Sequence, residues 1–137
     1  YGIADYHLMV GALEDPLAQG LLDTVNVAFL GTRAPSAKQL VAVSPTHHVS
    51  ANTPPMFIWA TAADGLVPVA HSTRMANSLA DAGIPFELHI FEEGQHGLSL
   101  ADQTTAGSIL ELDADAAQWI TLAGNWLRKR FALSIPA

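Results

Sequence analysis

The chain has 137 residues, enough for one domain with a buried core; half are hydrophobic and 14% charged, which excludes disorder. Its net charge of −7 argues against nucleic acid and anionic membrane surfaces as partners, and no apolar run approaches the length of a membrane span. It has no cysteine, which excludes disulfides, a thiol nucleophile and cysteine-based metal sites without fixing a compartment. The first residue is Tyr1 rather than Met, so a removed signal, a processed chain and a partial chain all stay open.

Residues 1–35 are the least regular, with Tyr1-Gly2-Ile3-Ala4-Asp5 reading as a strand end that runs into a loop. Apolar spacing over 21–30 predicts a short helix, with Gly31 as its left-handed stop. A second short helix is predicted over 36–43, capped by Ser36 and closed by Pro45. Residues 44–55 are dense in turn formers and read as a loop. The continuous apolar run over 56–62 predicts a strand covered on both faces.

From Val69 the pattern turns helical, placing Ser72, Met75, Ala76, Leu79 and Ala82 on one face. Gly83 sits where a left-handed residue ends a helix, and Pro85 blocks its continuation. Phe86, Leu88 and Ile90 then alternate with Glu87, His89 and Phe91, a second strand. Strand, helix and strand of these lengths predict a βαβ unit with parallel neighbouring strands. After a polar loop to about Gly107, residues 113–131 carry the clearest helical pattern. Its stripe is Ala116, Trp119, Ile120, Ala123, Trp126, Leu127 and Phe131, with Asp113 and Asp115 at the positive end and Arg128, Lys129 and Arg130 at the negative end. No internal repeat is present.

The chemistry concentrates at two strand ends. The first strand runs into Asp64-Gly65, and the second into Glu92-Glu93-Gly94-Gln95-His96-Gly97. Carboxyl ends of adjacent parallel strands meet in the crevice where open α/β sheets hold ligands. A carboxylate and an imidazole meeting there are two members of a nucleophilic triad: the imidazole takes a hydroxyl proton, and the acid holds its other nitrogen. Acid before histidine fits the order serine, acid, histidine, which needs an upstream Gly-x-Ser-x-Gly elbow. None of Ser36, Ser44, Ser50, Ser72, Ser78, Ser99, Ser108 and Ser134 has glycine at both −2 and +2.

Over 53–72, Thr-Pro-Pro-Met-Phe-Ile-Trp-Ala-Thr-Ala-Ala-Asp64-Gly-Leu-Val-Pro68-Val-Ala-His-Ser resembles the acid loop of α/β-hydrolase-fold esterases, above all carbohydrate-esterase-like and acetyl-xylan-esterase-like members. Ala82-Gly-Ile-Pro-Phe-Glu-Leu-His-Ile-Phe-Glu-Glu-Gly-Gln-His96-Gly-Leu is similar to their last core strand and histidine loop, and Trp119 and Trp126-Leu127 to the closing helix. Tyr1-Gly2-Ile3-Ala4-Asp5 is similar to the segment just after the strand that follows the nucleophile helix. Phe29-Leu30-Gly31 and Ser44-Pro45 resemble the cap-side region.

The resemblance implies an α/β fold, specifically a partial α/β-hydrolase fold with the last parallel strands, flanking helices and part of the cap. It divides the chain into a cap-side region (1–52) and an acid-loop, βαβ, histidine-loop and closing-helix region (53–137). It implies Asp64 as triad acid and His96 as triad base, acting on a small ester, with no cofactor. Position 63 is alanine where many members carry a second acid, and the serine elbow and oxyanion glycines have no counterpart. The serine is therefore expected outside this chain, on a missing amino-terminal half or a second copy.

Blander readings compete at each position. Asp64-Gly65 is also a common turn pair, and His96 could be an ordinary loop histidine. His47, His48, His71 and His89 show no ligand spacing, so no metal is expected. Trp59, Trp119 and Trp126 sit at core spacing, and His89 is expected between sheet and helix. Arg128-Lys129-Arg130 is explained by the helix end, and the resemblance makes Asp5 a candidate for shaping the substrate side. An acid–histidine–serine order using Ser99, Ser108 or Ser134 finds no Gly-rich nucleophile loop. A prolyl-oligopeptidase-type peptidase tail and a non-catalytic binding or assembly module are the alternatives to an esterase.

Overall fold

The computed structural model describes residues 2–10 and 16–132; Tyr1 and Ser134, both used in reading the sequence, lie outside them. The regular helices and strands are α1 (Pro16–Leu30), α2 (Ala37–Val43), β1 (Met56–Thr61), α3 (Ala70–Asp81), β2 (Phe86–Phe91) and α4 (Trp119–Phe131). Single 3₁₀ turns lie at Tyr6–Met9, Pro45–His48, Ile109–Glu111 and Ala116–Gln118. β1 and β2 pair in parallel, from Met56 opposite Phe86 to Thr61 opposite Phe91.

Local chemistry explains most of the boundaries. Gly31 ends α1 at φ +70° and donates its N–H to Val27 O at 3.0 Å. Ser36 opens α2 with a capping box: its hydroxyl receives the Gln39 N–H while the Gln39 side chain receives the Ser36 N–H. At the end of α3, Gly83 takes φ +68° and donates to Ala80 O, while Ile84 donates to Leu79 O at 2.8 Å. This pair of bonds is a Schellman motif, and it buries Ile84 against Leu79.

The period-2 alternation sorts the strands between two cores. Met56, Ile58 and Phe86 face α3, where Met75 and Leu79 pack with Ala4 and Ile84. Trp59 and Phe91 face the other side and pack on Leu98, Ala101 and Ala116. There Trp59 stacks on Trp119 of α4 with ring centroids 5.0 Å apart and planes 10° from parallel, and Phe57 meets Trp126 at 6.1 Å.

Three expectations need correction. β1 is covered less than a strand buried on both faces: Met56 to Trp59 are half-buried and only Ala60 and Thr61 are buried. The physical reason is that the described sheet has two strands, so each keeps an unpaired edge. The helix expected from 113 begins as α4 at Trp119, because the Asp113 carboxylate accepts the Asp115 and Ala116 N–H groups and holds the chain in a tight turn first. The tryptophans are half-buried rather than core. His89 lies against the Phe57 ring at 5.4 Å, with Nε2 2.9 Å from the Glu87 carboxylate.

Candidate active site

Because β1 and β2 are parallel neighbours, the loops that leave their carboxyl ends start side by side. The first carries Asp64, whose side chain is buried. Its Oδ1 accepts the backbone N–H groups of Leu66 and Val67 at 2.9 and 2.8 Å, a local turn that leaves Oδ2 pointing across to the second loop. There Oδ2 meets His96 Nδ1 at 2.8 Å. The carboxylate is acceptor-only when ionised, so Nδ1 carries the proton and donates it, leaving Nε2 as the acceptor nitrogen of the ring. The His96 side chain is 32% exposed, whereas that of Asp64 is 1% exposed. A shielded carboxylate therefore orients an imidazole that solvent can reach.

The second loop is held to the first by its glycine. Gly94 adopts φ +117°, and its carbonyl accepts the Thr61 hydroxyl at 2.7 Å from the end of β1. A Cβ on Gly94 would lie 2.6 Å from Leu98 Cδ1 and 2.9 Å from Thr61 Cγ2, so only glycine lets the loop pass this close. Gly97, at φ +88°, turns the chain just after His96.

Beside this pair the structure assembles a second polar group. His71 is fully buried near the start of α3, and its Nδ1 accepts the N–H groups of Ala4 and Asp5, each at 3.3 Å. Burial pushes its pKa below the ordinary histidine value. Asp5 Oδ2 pairs with Arg74, and Oδ1 receives the His7 backbone N–H and lies 2.9 Å from His7 Nδ1. Burial raises the Asp5 pKa, but the Arg74 and His7 hydrogen bonds outweigh it and hold the group at about 2. These contacts lock residues 4–7 onto α3. The ligand-bearing atoms of Asp5, His7 and His47 come within 4.8 Å of one another. The sequence spacing did not foreshadow that grouping, although both Asp5 oxygens already serve Arg74 and His7. His48 turns away to Ala42 O.

The sequence singled out Asp64 and His96, and the fold brings them into hydrogen-bond contact. It missed His71 as an anchor, Arg74 as the partner of Asp5 and Thr61 as the tie between the two loops. Their partners lie 33 to 69 residues away, and no local pattern marks them. Gly94 was the one visible signal of the tie.

Comparison with known proteins gives this geometry a context. The model of the prolyl oligopeptidase family matches residues 15–120. An endo-1,4-beta-xylanase B from Butyrivibrio fibrisolvens is 40% identical over 81 residues, covering 52% of this chain and 13% of the xylanase. A sugar hydrolase from Lactococcus lactis superposes with a TM-score of 0.68 at 33% identity, covering 77% of this chain and 42% of that one. An acetyl ester-xyloside bifunctional hydrolase from Caldicellulosiruptor lactoaceticus gives a TM-score of 0.62 at 35% identity, covering 74% of this chain and 34% of that one. The chain thus spans less than half the length of each of these proteins, and its parallel strands and helices are part of an α/β-hydrolase fold of the esterase-like kind.

Proposed function

The chain belongs to the prolyl oligopeptidase family, and on that premise we propose that Asp64 and His96 serve a serine ester hydrolase as triad acid and base. The observation that supports this reading is the 2.8 Å contact between His96 Nδ1 and Asp64 Oδ2 at the ends of adjacent parallel strands. The serine is supplied by polypeptide outside this chain, either a preceding segment or a second subunit. On this reading residues 53–137 carry the acid, base and closing helix, and residues 1–52 form the cap side.

The reaction follows from the tautomer. The serine Oγ attacks the ester carbonyl carbon while its proton passes to His96 Nε2. The C–O bond to the alcohol then breaks, and the leaving oxygen takes that proton. Water repeats the sequence on the acyl-enzyme, releasing the acid and restoring the serine. Asp64 stays ionised throughout, holds the ring in place and favours the transient imidazolium. Small acyl esters are the substrates proposed. The names of the acetyl ester-xyloside hydrolase and the xylanase are what favour acetylated carbohydrate among them.

A fluorophosphonate probe applied to the protein in its native assembly tests the proposal. A labelled serine should be recovered outside these 137 residues, and Asp64→Ala or His96→Ala should cut p-nitrophenyl acetate turnover by about 10⁴-fold. Labelling and turnover unaltered in both variants would overturn it. The family description favours one rival, a peptidase using the same pair. Faster cleavage of a proline p-nitroanilide than of the ester would select it, and no turnover of either would select a binding or assembly module.

A further inference from the structure

A cavity of about 290 Å³ opens beside His96. Leu21, Leu22 and Val25 of α1 form one wall, Leu8 and Met9 another, and the loop that follows Asp64 supplies Leu66, Val67 and Pro68. Among the described residues that line it, His96 alone carries a side-chain nitrogen or oxygen. Val10, Leu21 and Leu66 remain 37 to 48% exposed at its edges, and apolar side chains gathered around a reactive imidazole point to an apolar ligand.

We infer that this cavity is the subsite for an aliphatic group of the ester, larger than acetyl, on its acyl or its alcohol side. The inference rests on the esterase reading and narrows it. A sugar ring would bring hydroxyls into a space where the described residues offer no side-chain partner except His96, and each unpaired hydroxyl would weaken binding. An alkyl chain loses nothing there. At about 290 Å³ the cavity has room for a group larger than acetyl. Any carbohydrate part of the substrate therefore lies outside the cavity. The walls also explain why the chain builds α1 with Leu21, Leu22 and Val25 on one side: they cover the approach to His96.

Two measurements on the protein in its native assembly test this. In the first, p-nitrophenyl acetate, butyrate and hexanoate vary the acyl side, and methyl, butyl and hexyl acetates vary the alcohol side. Each buried methylene should raise kcat/KM about fourfold in the series that enters the cavity, so butyrate should exceed acetate about 15-fold if that side is the acyl one. Val25→Phe, which fills the cavity, should bring the ratio toward one. In the second, hexanoate is titrated against ¹³C-methyl-labelled methionine. Met9 should shift while Met56 and Met75, outside this cavity, do not.

The outcomes separate the two claims. Hexanoate that shifts Met9 in a protein hydrolysing no ester would overturn the esterase reading and keep the cavity assignment. Ester hydrolysis with the shortest chain best in both series, and no Met9 shift, would keep the esterase and overturn the cavity. Should Val25→Phe fail to fold, the Met9 titration still decides.

Discussion

Gly94→Ala should damage the site from two residues away. At φ +117° an alanine enters backbone space that L residues rarely occupy, which costs about 1–3 kcal/mol. Its Cβ would lie 2.6 Å from Leu98 Cδ1 and 2.9 Å from Thr61 Cγ2, both on buried side chains, and overpacking of this kind costs about 1–3 kcal/mol more. The expected loss is thus about 2–6 kcal/mol, a large share of the roughly 5–15 kcal/mol that holds small proteins folded. Relief by backward movement of the loop would break the 2.7 Å Thr61–Gly94 bond and pull His96 from Asp64. Gly97→Ala is the control: its φ is +88°, but a Cβ there meets nothing within 4 Å, so it should show the backbone cost alone. Urea unfolding gives both losses, and the His96 Nδ1 proton resonance reports the contact with Asp64. If Gly94→Ala cost no more than Gly97→Ala and left that proton in place, the close-approach argument would fail.

Two further outcomes are expected. Ser44→Ala should cost about 1–3 kcal/mol, because the buried Ser44 hydroxyl accepts Tyr6 N–H at 2.8 Å and donates to Leu40 O at 2.7 Å; a midpoint in urea unmoved by the substitution would refute it. Stability should also fall in two acid steps. His71 has a folded pKa below its ordinary value of about 6.5, so the unfolded chain binds its proton first and stability drops by up to about 1.4 kcal/mol per pH unit as pH falls from there toward the folded value. Asp5, held at about 2, adds a second loss as pH falls from its ordinary value near 4 toward 2. His71 ring resonances titrating at or above the ordinary value would refute the first step.

Sequence legibility followed the range of the interactions. The βαβ unit was readable because its signals are local: an apolar run, an i, i+3, i+4 stripe, Gly83, Pro85 and an alternating strand. Asp64 and His96 were readable for the same reason, since strand ends put them at one rim. The amino-terminal third was less so. α1 starts at Pro16, ahead of the apolar spacing that announced it. Residues 4–7 are fastened to α3 by His71 and Arg74, pairings that span 66 to 69 residues. The acidic start proposed for the last helix failed because Asp113 can satisfy the same N–H groups in a 3₁₀ turn.

The Thr61–Gly94 bond makes the acid and the base travel together. A carboxylate and an imidazole on separately wandering loops would each have to be caught in register before they could act together. Here one hydroxyl clamps the second loop to the end of the first strand. On the esterase reading proposed above, an incoming nucleophile would have a single moving target to align with rather than two, and the freedom surrendered on alignment would be correspondingly smaller.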